Sequence, residues 1–174
     1  MRTTERLVLR PFRETDLDPW IAMNADPEVT EYLGGVLSRE ASLEIASAVN
    51  EQYAAKGSGF LAIERRADGA FLGACGLQRT PWFPDTEIGW RLAREHWGHG
   101  YATEAASSWI EYGFTTLGLS HVISVTDTPN VRSIAVMRRL GMSFDHEQVL
   151  EEDGVEFDAT IYKLTAEAWE AARK

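Results

Sequence analysis

Two glycines stand at the point where a long helix must begin. Residues 97 to 102 read WGHGYA, between a strand-like run and a helical pattern. Glycine within a helix costs about 1 kcal/mol relative to alanine, so its repeated use here indicates a requirement other than helix formation. N–H groups at a helix N-terminus bind anions, and residues without Cβ let a phosphate approach the main chain. Gly98 and Gly100 therefore predict a phosphate-binding turn, with a tight turn that binds no ligand as the alternative.

Basic residues surround this turn within an otherwise acidic chain. Arg91, Arg94, His96 and His99 flank or enter it, whereas the 174 residues together carry a formal net charge of -10. The spacing is not that of a Walker A loop, because no Gly-Lys-Ser/Thr follows, and it is not GxGxxG. The chemistry thus predicts an anionic group without naming the molecule that carries it.

The composition disfavours several classes of function. Net negative charge opposes the phosphate backbone of nucleic acids, although the same field attracts cationic substrates. The single cysteine, Cys75, rules out an internal disulfide, and the four histidines lack the spacing of a zinc site. Neither a leader-like segment nor a run of about 18 apolar residues is visible. We expect no nucleic-acid, membrane or metal partner, and a cytoplasmic location.

Sequence periodicity indicates which elements position the turn. Strand-like runs occupy residues 6–10, 60–65, 71–77, 86–92, 121–126, 143–150 and 156–164. Helical patterns follow Thr15 and Ser38, occupy residues 98–117 and 130–140, and close the chain, with Gly57 and Gly141 as helix ends. We therefore predict an α/β (α+β) fold with one mixed central sheet of about seven strands flanked by helices.

Two longer runs carry a resemblance to a known family. EIGWRLAREHWGHGYATEA, from residue 87, and YGFTTLGLSHVISVTDTPNVRSIAVMRRLGM, from residue 112, resemble the acetyl-CoA-binding core of the GNAT superfamily of N-acetyltransferases. They are most similar to the branch that contains the ribosomal-protein alanine N-acetyltransferases RimJ and RimL, which the opening TERLVLRPFRETDLDPW also resembles. The resemblance covers nearly the whole chain, so it implies one GNAT domain over residues 1–174 that uses acetyl-CoA as acyl donor.

The resemblance gives the glycine turn a ligand. The family's pyrophosphate loop, written Q/R-x-x-G-x-G/A, falls on Trp97, Gly98, His99, Gly100, Tyr101 and Ala102. Trp97 departs from the pattern, which leaves donation by main-chain N–H groups intact because it needs no side chain. The family's pantetheine arm runs along the preceding strand, which implies main-chain contacts from Trp90 and Leu92. Gly89 lets that strand splay from its neighbour, or it marks a bulge.

Asn130 and Ser133 form the second half of the site that the resemblance implies. Asn130 matches an asparagine that contacts the cofactor arm. Ser133 matches a serine whose hydroxyl is placed to hydrogen-bond or protonate the leaving CoA thiolate. Each has a structural alternative, because Asn130 is a favourable helix N-cap and Ser133 can solvate the helix end.

An accepting amine needs something to take its proton, because amines with pKa values of about 8 to 10.4 are mostly protonated at neutral pH. Glu87, at the start of the strand beside the splay, resembles a glutamate frequent in this branch; a solvated strand-edge glutamate is the alternative. Asp127 is a second candidate. The family's direct attack by the amine needs alignment and no covalent intermediate, so we expect Cys75 to be a buried structural thiol.

The acceptor is predicted to bind among the least patterned segments, residues 32–37, 80–85 and 151–157. The residues proposed to line its pocket or attract a cation are Tyr32, Trp82, Phe83, Glu151, Glu152 and Asp153. Two enzymatic hypotheses follow: transfer to a protein N-terminal α-amino group, or to a small amine such as a polyamine, amino acid or antibiotic. A third is a non-catalytic acyl-CoA sensor. Acyl length and the choice between monomer and homodimer are left open.

Overall fold

The computed structural model describes residues 1–80, 82–152 and 154–173. The strands are β1 (Arg2–Thr3), β2 (Leu7–Arg10), β3 (Phe60–Arg65), β4 (Phe71–Arg79), β5 (Thr86–Leu92), β6 (His121–Asp127), β7 (Ser143–Glu152) and β8 (Val155–Thr165). The helices are α1 (Glu14–Asn24), α2 (Pro27–Thr30), α3 (Arg39–Lys56), α4 (Tyr101–Thr115), α5 (Val131–Arg139) and α6 (Ala166–Ala171), and a 3₁₀ turn spans Arg94–His96.

One mixed sheet contains all eight strands of the described residues, in the order β1-β2-β3-β4-β5-β6-β8-β7. Neighbouring strands are antiparallel except β5 and β6, which are parallel. The predicted α/β fold with a mixed central sheet is confirmed. Sequence periodicity did not predict β1 or α2, because two and four residues are too few to produce a period.

Different helices cover the two faces of the sheet. Side chains alternate along β3, so Leu61 and Ile63 pack in the cluster that includes Trp109 of α4, whereas Ala62 packs in the cluster that includes Trp20 of α1. All five side chains are almost completely buried. Helix α4 therefore backs one face, and α1 and α3 cover the other.

Local capping explains where the helices begin and end. Ser38 accepts a hydrogen bond from the Ala41 N–H at 3.1 Å, and Gly57 ends α3 in the left-handed conformation, both as predicted. The prediction that the first helix follows Thr15 is wrong, because Thr15 lies within α1. That helix begins at Glu14, because the Asp16 carboxylate accepts a hydrogen bond from the Arg13 N–H at 2.7 Å.

The parallel strands β5 and β6 separate almost as soon as they pair. Their register consists of one pair, Glu87 with Ile123. On its other side β5 stays paired with β4 along its whole length, from Thr86 to Leu92, without a shift in register. The sheet is therefore split on the β6 side of β5, and Glu87 lies at the apex of the split. The alternative that Gly89 marks a bulge is wrong, because Gly89 pairs in register with Gly76.

Candidate active site

A cleft of about 910 Å³ opens where β5 and β6 separate. This volume is within the range of small-molecule sites, about 300 to 1,000 Å³. One part of the lining, which we call the loop half, includes Gly98 and Ala102 at the start of α4 and Ser133 of α5. The other part, the α2 half, includes Trp20 of α1 and Tyr32 just after α2. A molecule in the split could therefore contact both faces of the sheet.

The glycine turn has a conformation that other residues adopt only at a cost. Gly98 and Gly100 have φ angles of 77° and 79°, in the left-handed region where a residue with Cβ is destabilised by roughly 1–2 kcal/mol. A Cβ on Gly98 would point into open space, with no atom within 4 Å. Backbone geometry thus requires the two glycines, and the surface above Gly98 is free.

Main-chain N–H groups of the turn are available to a ligand. Among the described residues, no protein group accepts a hydrogen bond from the N–H groups of residues 98 to 100. Helix α4 makes its first internal bond from the Glu104 N–H to the Gly100 carbonyl, at 3.0 Å, so the N–H groups of its first turn have no intrahelical acceptor. These donors and the helix dipole together form a site for an anion.

Arg6 holds the turn in place from outside the cleft. Its Nη1 donates to the His99 carbonyl at 3.0 Å, its Nε contacts the Glu104 carboxylate at 2.6 Å, and its guanidinium lies 4.8 Å from the centre of the Tyr101 ring. The His99 ring stacks on Tyr101 at 5.6 Å and is not part of the cleft lining. The turn is therefore braced before any ligand binds.

The open edge of β5 presents main-chain groups to the split. The Ala93 N–H donates to the Leu72 carbonyl of β4 at 2.9 Å. Bonded and non-bonded pairs alternate in an antiparallel ladder, so the main-chain groups of Leu92 and Trp90 point away from β4 and into the split. The Leu92 carbonyl already accepts a hydrogen bond from Trp97 Nε1 at 2.9 Å. Trp97 thus fastens the turn to β5, and Trp90 keeps its main-chain groups directed towards the cleft.

Glu87 is buried at the apex of the split. Only 7% of the residue is exposed, and its Oε1 lies 3.4 Å from the Val125 N–H on β6, which donates to it. Burial raises the pKa of Glu87 to about 7; hydrogen bonds from Val125 and Gln78 oppose this rise, and the charge of Glu152 adds to it. The alternative of a solvated strand-edge glutamate is wrong. Near neutral pH this carboxyl can both accept and release a proton.

The raised pKa of Glu87 predicts a pH-dependent effect on stability. The native carboxyl keeps a proton that the unfolded chain releases above its ordinary pKa of 4.5, so stability falls as pH rises from 4.5 to about 7. We expect Glu87→Gln to increase the free energy of unfolding by up to about 3 kcal/mol at pH 8 and by little at pH 4. Urea unfolding at both pH values measures this; an equal gain at both would contradict the raised pKa.

Asn130 and Ser133 meet at the N-terminus of α5. The Asn130 Oδ1 accepts the Ser133 N–H at 3.1 Å, and its Nδ2 donates to Thr126 Oγ1 at 2.9 Å. Asn130 is therefore the N-cap of α5, and both polar atoms of its side chain have protein partners. The Ser133 side chain lines the cleft, and its hydroxyl has no hydrogen-bond partner in the described part of the chain.

Most of the predicted site residues line this cleft. They are Glu87, Trp90, Leu92, Trp97, Gly98, Gly100, Tyr101, Ala102, Asn130 and Ser133. Asp127, Tyr32, Trp82 and Glu152 also line it, and burial raises the pKa of Asp127. His99, Phe83 and Glu151 are not among the lining residues. Asp153 lies outside the described residues.

Of the four basic residues predicted around the turn, Arg91 and His96 line the cleft, whereas Arg94 and His99 do not. Arg94 was expected to favour an anion at the turn, but it pairs with Glu28 at 2.8 Å. Besides Arg6, Arg132 of α5 also lies beside the turn; its guanidinium lies 4.5 Å from the centre of the Trp97 ring and contacts Glu31 at 3.2 Å. Arg132 is distant in sequence from the turn, so no local pattern could have identified it.

Two other features, a metal-ligand cluster and a membrane-spanning helix, are absent from the described residues. In residues 1–80, 82–152 and 154–173, no three His, Cys, Asp or Glu side chains are grouped so that they could hold a metal ion. No helix within those ranges combines the length and apolar character needed to cross a membrane.

Comparison with known proteins agrees with the class of enzyme that the split sheet and the anion-binding turn indicate. Residues 6–143 match the acetyltransferase (GNAT) domain family, and the chain belongs to that family. It is 32% identical over 170 residues to YoaA of Bacillus subtilis strain 168, an uncharacterized N-acetyltransferase, covering 92% of this chain and 94% of YoaA. The protein is therefore an acyltransferase of the GNAT type.

Solved structures show the same fold. An acetyltransferase from Agrobacterium tumefaciens C58 superposes with a TM-score of 0.80 at 29% identity, covering 94% of this chain and 92% of that one. RimL, a ribosomal L7/L12 α-N-protein acetyltransferase in complex with coenzyme A, gives a TM-score of 0.79 over 96% of this chain and 98% of that one. Its identity is 15%, so this likeness shows the fold alone and does not establish the RimJ/RimL branch.

Proposed function

We propose that this protein transfers the acetyl group of acetyl-CoA to a primary amine by direct attack of the amine on the thioester. The observation that carries the proposal is the set of free main-chain N–H groups at the Gly98 turn, placed beside a split strand pair with Glu87 at its apex. The turn would hold the diphosphate of the donor, and the pantetheine arm would lie along the open edge of β5. The thioester would then lie in the cleft beside Glu87.

The reaction needs two proton transfers, and the cleft offers a group for each. The amine nitrogen forms a bond to the thioester carbon, and its proton passes to the Glu87 carboxylate directly or through water. The C–S bond then breaks, and the thiolate receives a hydrogen bond from the free hydroxyl of Ser133, or a proton that this hydroxyl regains from water. Alignment of the two reactants can lower the barrier by roughly 7–11 kcal/mol, so no covalent intermediate is required.

The single thiol of the chain has no part in this scheme. Cys75 is completely buried in β4, and burial strongly raises the pKa of its thiol, so the nucleophilic thiolate is scarcely populated. Cys75 is the buried structural thiol that the sequence predicted. Direct attack is therefore the route that these side chains support.

The acceptor is either a protein N-terminal α-amino group or a small amine. The first candidate is supported by the resemblance to the RimJ/RimL branch and by the shared fold with RimL. The second is supported by the α2 half of the cleft, a cavity between α1, α2 and β5 that suits a small molecule. We propose a single domain over residues 1–174, because all eight described strands form one sheet.

An experiment on thiol release tests the proposed function. N-terminal peptides, polyamines and amino acids are supplied with acetyl-CoA or succinyl-CoA, and the release of free CoA is measured. Release that depends on both amine and protein supports acetyl transfer. Thermal stabilisation by acetyl-CoA without release from any amine would support a sensor and contradict the proposal.

Removal of the Ser133 hydroxyl should act mainly on turnover. We expect Ser133→Ala to lower kcat by about tenfold or more with little change in acetyl-CoA affinity, because a thiolate leaving group is stabilised by a nearby donor in the transition state. The Ser133 N–H, which donates to the Asn130 Oδ1 that caps α5, remains, so the fold should be unaffected. Steady-state kinetics measure the effect, and full activity would remove Ser133 from the mechanism.

A further inference from the structure

Arg91 is a cation without a carboxylate partner in the α2 half of the cleft. It lies on β5, and its Nη1 donates to Asn24 Oδ1 of α1 at 2.7 Å, while its guanidinium lies 5.7 Å from the centre of the Trp20 ring. Within the described residues no carboxylate lies at ion-pair distance from it. In contrast, Arg94 and Arg132, which lie nearby, each pair with a glutamate.

The guanidinium of Arg91 remains charged and has donors to spare. Burial lowers its pKa to about 10, opposed by the charge of Glu152, so the group is still a cation at neutral pH. A guanidinium carries several N–H donors, of which one is occupied by Asn24. In the described residues the Nε and Nη2 atoms of Arg91 have no hydrogen-bond partner, and neither atom is completely buried. Arg91 also lines the cleft. Its free donors are therefore accessible from the cleft.

Glu87, Gly89 and Arg91 alternate along β5, so they share one face of the sheet. All three line the cleft, with a carboxyl at one end and a guanidinium at the other. Between them Phe60 packs over Gly89, where a Cβ would lie 3.2 Å from the Phe60 ring. Their spacing puts the Cα atoms of Glu87 and Arg91 about 13 Å apart, at roughly 3.3 Å per residue. The floor of this half of the cleft therefore has an acidic end and a basic end, separated by the Phe60 ring above Gly89.

The charged groups around this floor limit which molecules can bind in the cleft between Glu87 and Arg91. Glu87, Asp127 and Glu152 line the cleft, and in the described part of the chain none of them has an ion-pair partner. These acids suit an ammonium group, and they oppose a doubly charged phosphate more strongly than a singly charged carboxylate. A second ammonium group would be repelled by Arg91, so a diamine fits less well than a molecule with one charge of each sign.

We propose that the acceptor is an amine that also carries a carboxylate, with the carboxylate bound by Arg91 and the amine directed towards Glu87. The inference rests on the proposed function and names the substrate class of that site. The planar guanidinium can bind a carboxylate through two parallel hydrogen bonds, which also fixes the direction in which the acceptor lies.

Matched pairs of acceptors test this assignment. Leucine, 4-aminobutyrate and 6-aminohexanoate are compared with their carboxamides, together with putrescine and spermidine. We expect kcat/KM for at least one acid to exceed that for its amide by about tenfold to a hundredfold, the effect of a hydrogen-bonded charge. Amides or diamines that match or exceed every acid would overturn the assignment.

Variants of Arg91 show whether that side chain causes the preference. Arg91→Gln should bring acid and amide to within about twofold of each other, Arg91→Lys should keep part of the gap, and the exposed control Arg39→Gln should keep all of it. If Arg91→Gln lowered kcat/KM for acid and amide equally, Arg91 would have a structural role only. Thermal unfolding of each variant identifies a loss of fold.

A binding measurement separates this inference from the proposed function. Calorimetry with coenzyme A present compares each N-acetylated acid with its N-acetylated amide, which requires no turnover. If no amine is acetylated, the proposed function fails, while tighter binding of the N-acetylated acid that is lost in Arg91→Gln would still support carboxylate recognition. Equal binding of acid and amide by the unaltered protein would overturn it.

Discussion

Replacement of Glu87 by glutamine is expected to lower kcat/KM by about a hundredfold or more, the size of effect that a positioned general base contributes. Glutamine is close in size and can still accept a hydrogen bond from the Val125 N–H, so the split between β5 and β6 should persist. The change removes the group that can take the proton of the attacking amine. Thiol release at saturating acetyl-CoA measures the effect.

The way in which the loss of kcat/KM varies with pH tests the role of Glu87 more sharply than the size of the loss does. The pKa of Glu87 is about 7, so the wild-type base is increasingly ionised from pH 6 to pH 8, whereas glutamine does not titrate. The acceptor amine titrates equally in both proteins, so the ratio of wild-type to variant kcat/KM should rise across this range. Glu44→Gln, an exposed change on α3, is the control. If the ratio of kcat/KM were near one, or did not change with pH, another group such as Asp127 would accept the proton of the amine.

Local rules predicted the parts of the site that depend on neighbouring residues in the chain. The Gly98 turn, the start of α4 and the cap at Asn130 follow from glycine conformation and helix capping, which involve a few consecutive residues. The order of strands and helices along the chain also followed in outline, because periodicity of two and of 3.6 residues separated strands from helices. Fold class and the loop half of the cleft were therefore accessible from the sequence.

Contacts between distant segments account for what the sequence did not predict. Glu87 is buried where Val125 of β6 donates to its carboxylate, and nothing in the run TEIGWRL indicates that contact. Arg91 was assigned to the anion at the turn, but strand alternation directs it to Asn24 on the opposite face of the sheet. Trp97 departs from the family's loop pattern, and its side chain donates to the Leu92 carbonyl and supports the guanidinium of Arg132. Each of these roles is set by packing, which local patterns do not encode.

A carboxylate placed at the Gly98 turn should weaken the binding of acetyl-CoA by about tenfold to a hundredfold. Two unit charges about 5 Å apart interact with roughly 3 kcal/mol at an effective dielectric constant near 20, and solvent screening reduces this in an open turn. Gly98 is the better position, because a Cβ there meets open space, whereas a Cβ on Gly100 would lie 3.5 Å from Arg6 Nη2, which would attract the new carboxylate.

The matched pair Gly98→Asp and Gly98→Asn isolates the charge from the backbone strain. Both residues tolerate a positive φ better than most, and they differ little in shape, so any cost of the left-handed conformation is shared. Calorimetry with acetyl-CoA should show a large loss of affinity for the aspartate and a small one for the asparagine, with the gap narrowing as salt is raised. Equal affinities would mean that no anion lies against this turn, and the donor would have to bind elsewhere in the split. A gap that persists without salt dependence would point to a steric cause, because only a Coulombic interaction with the diphosphate is screened by ions.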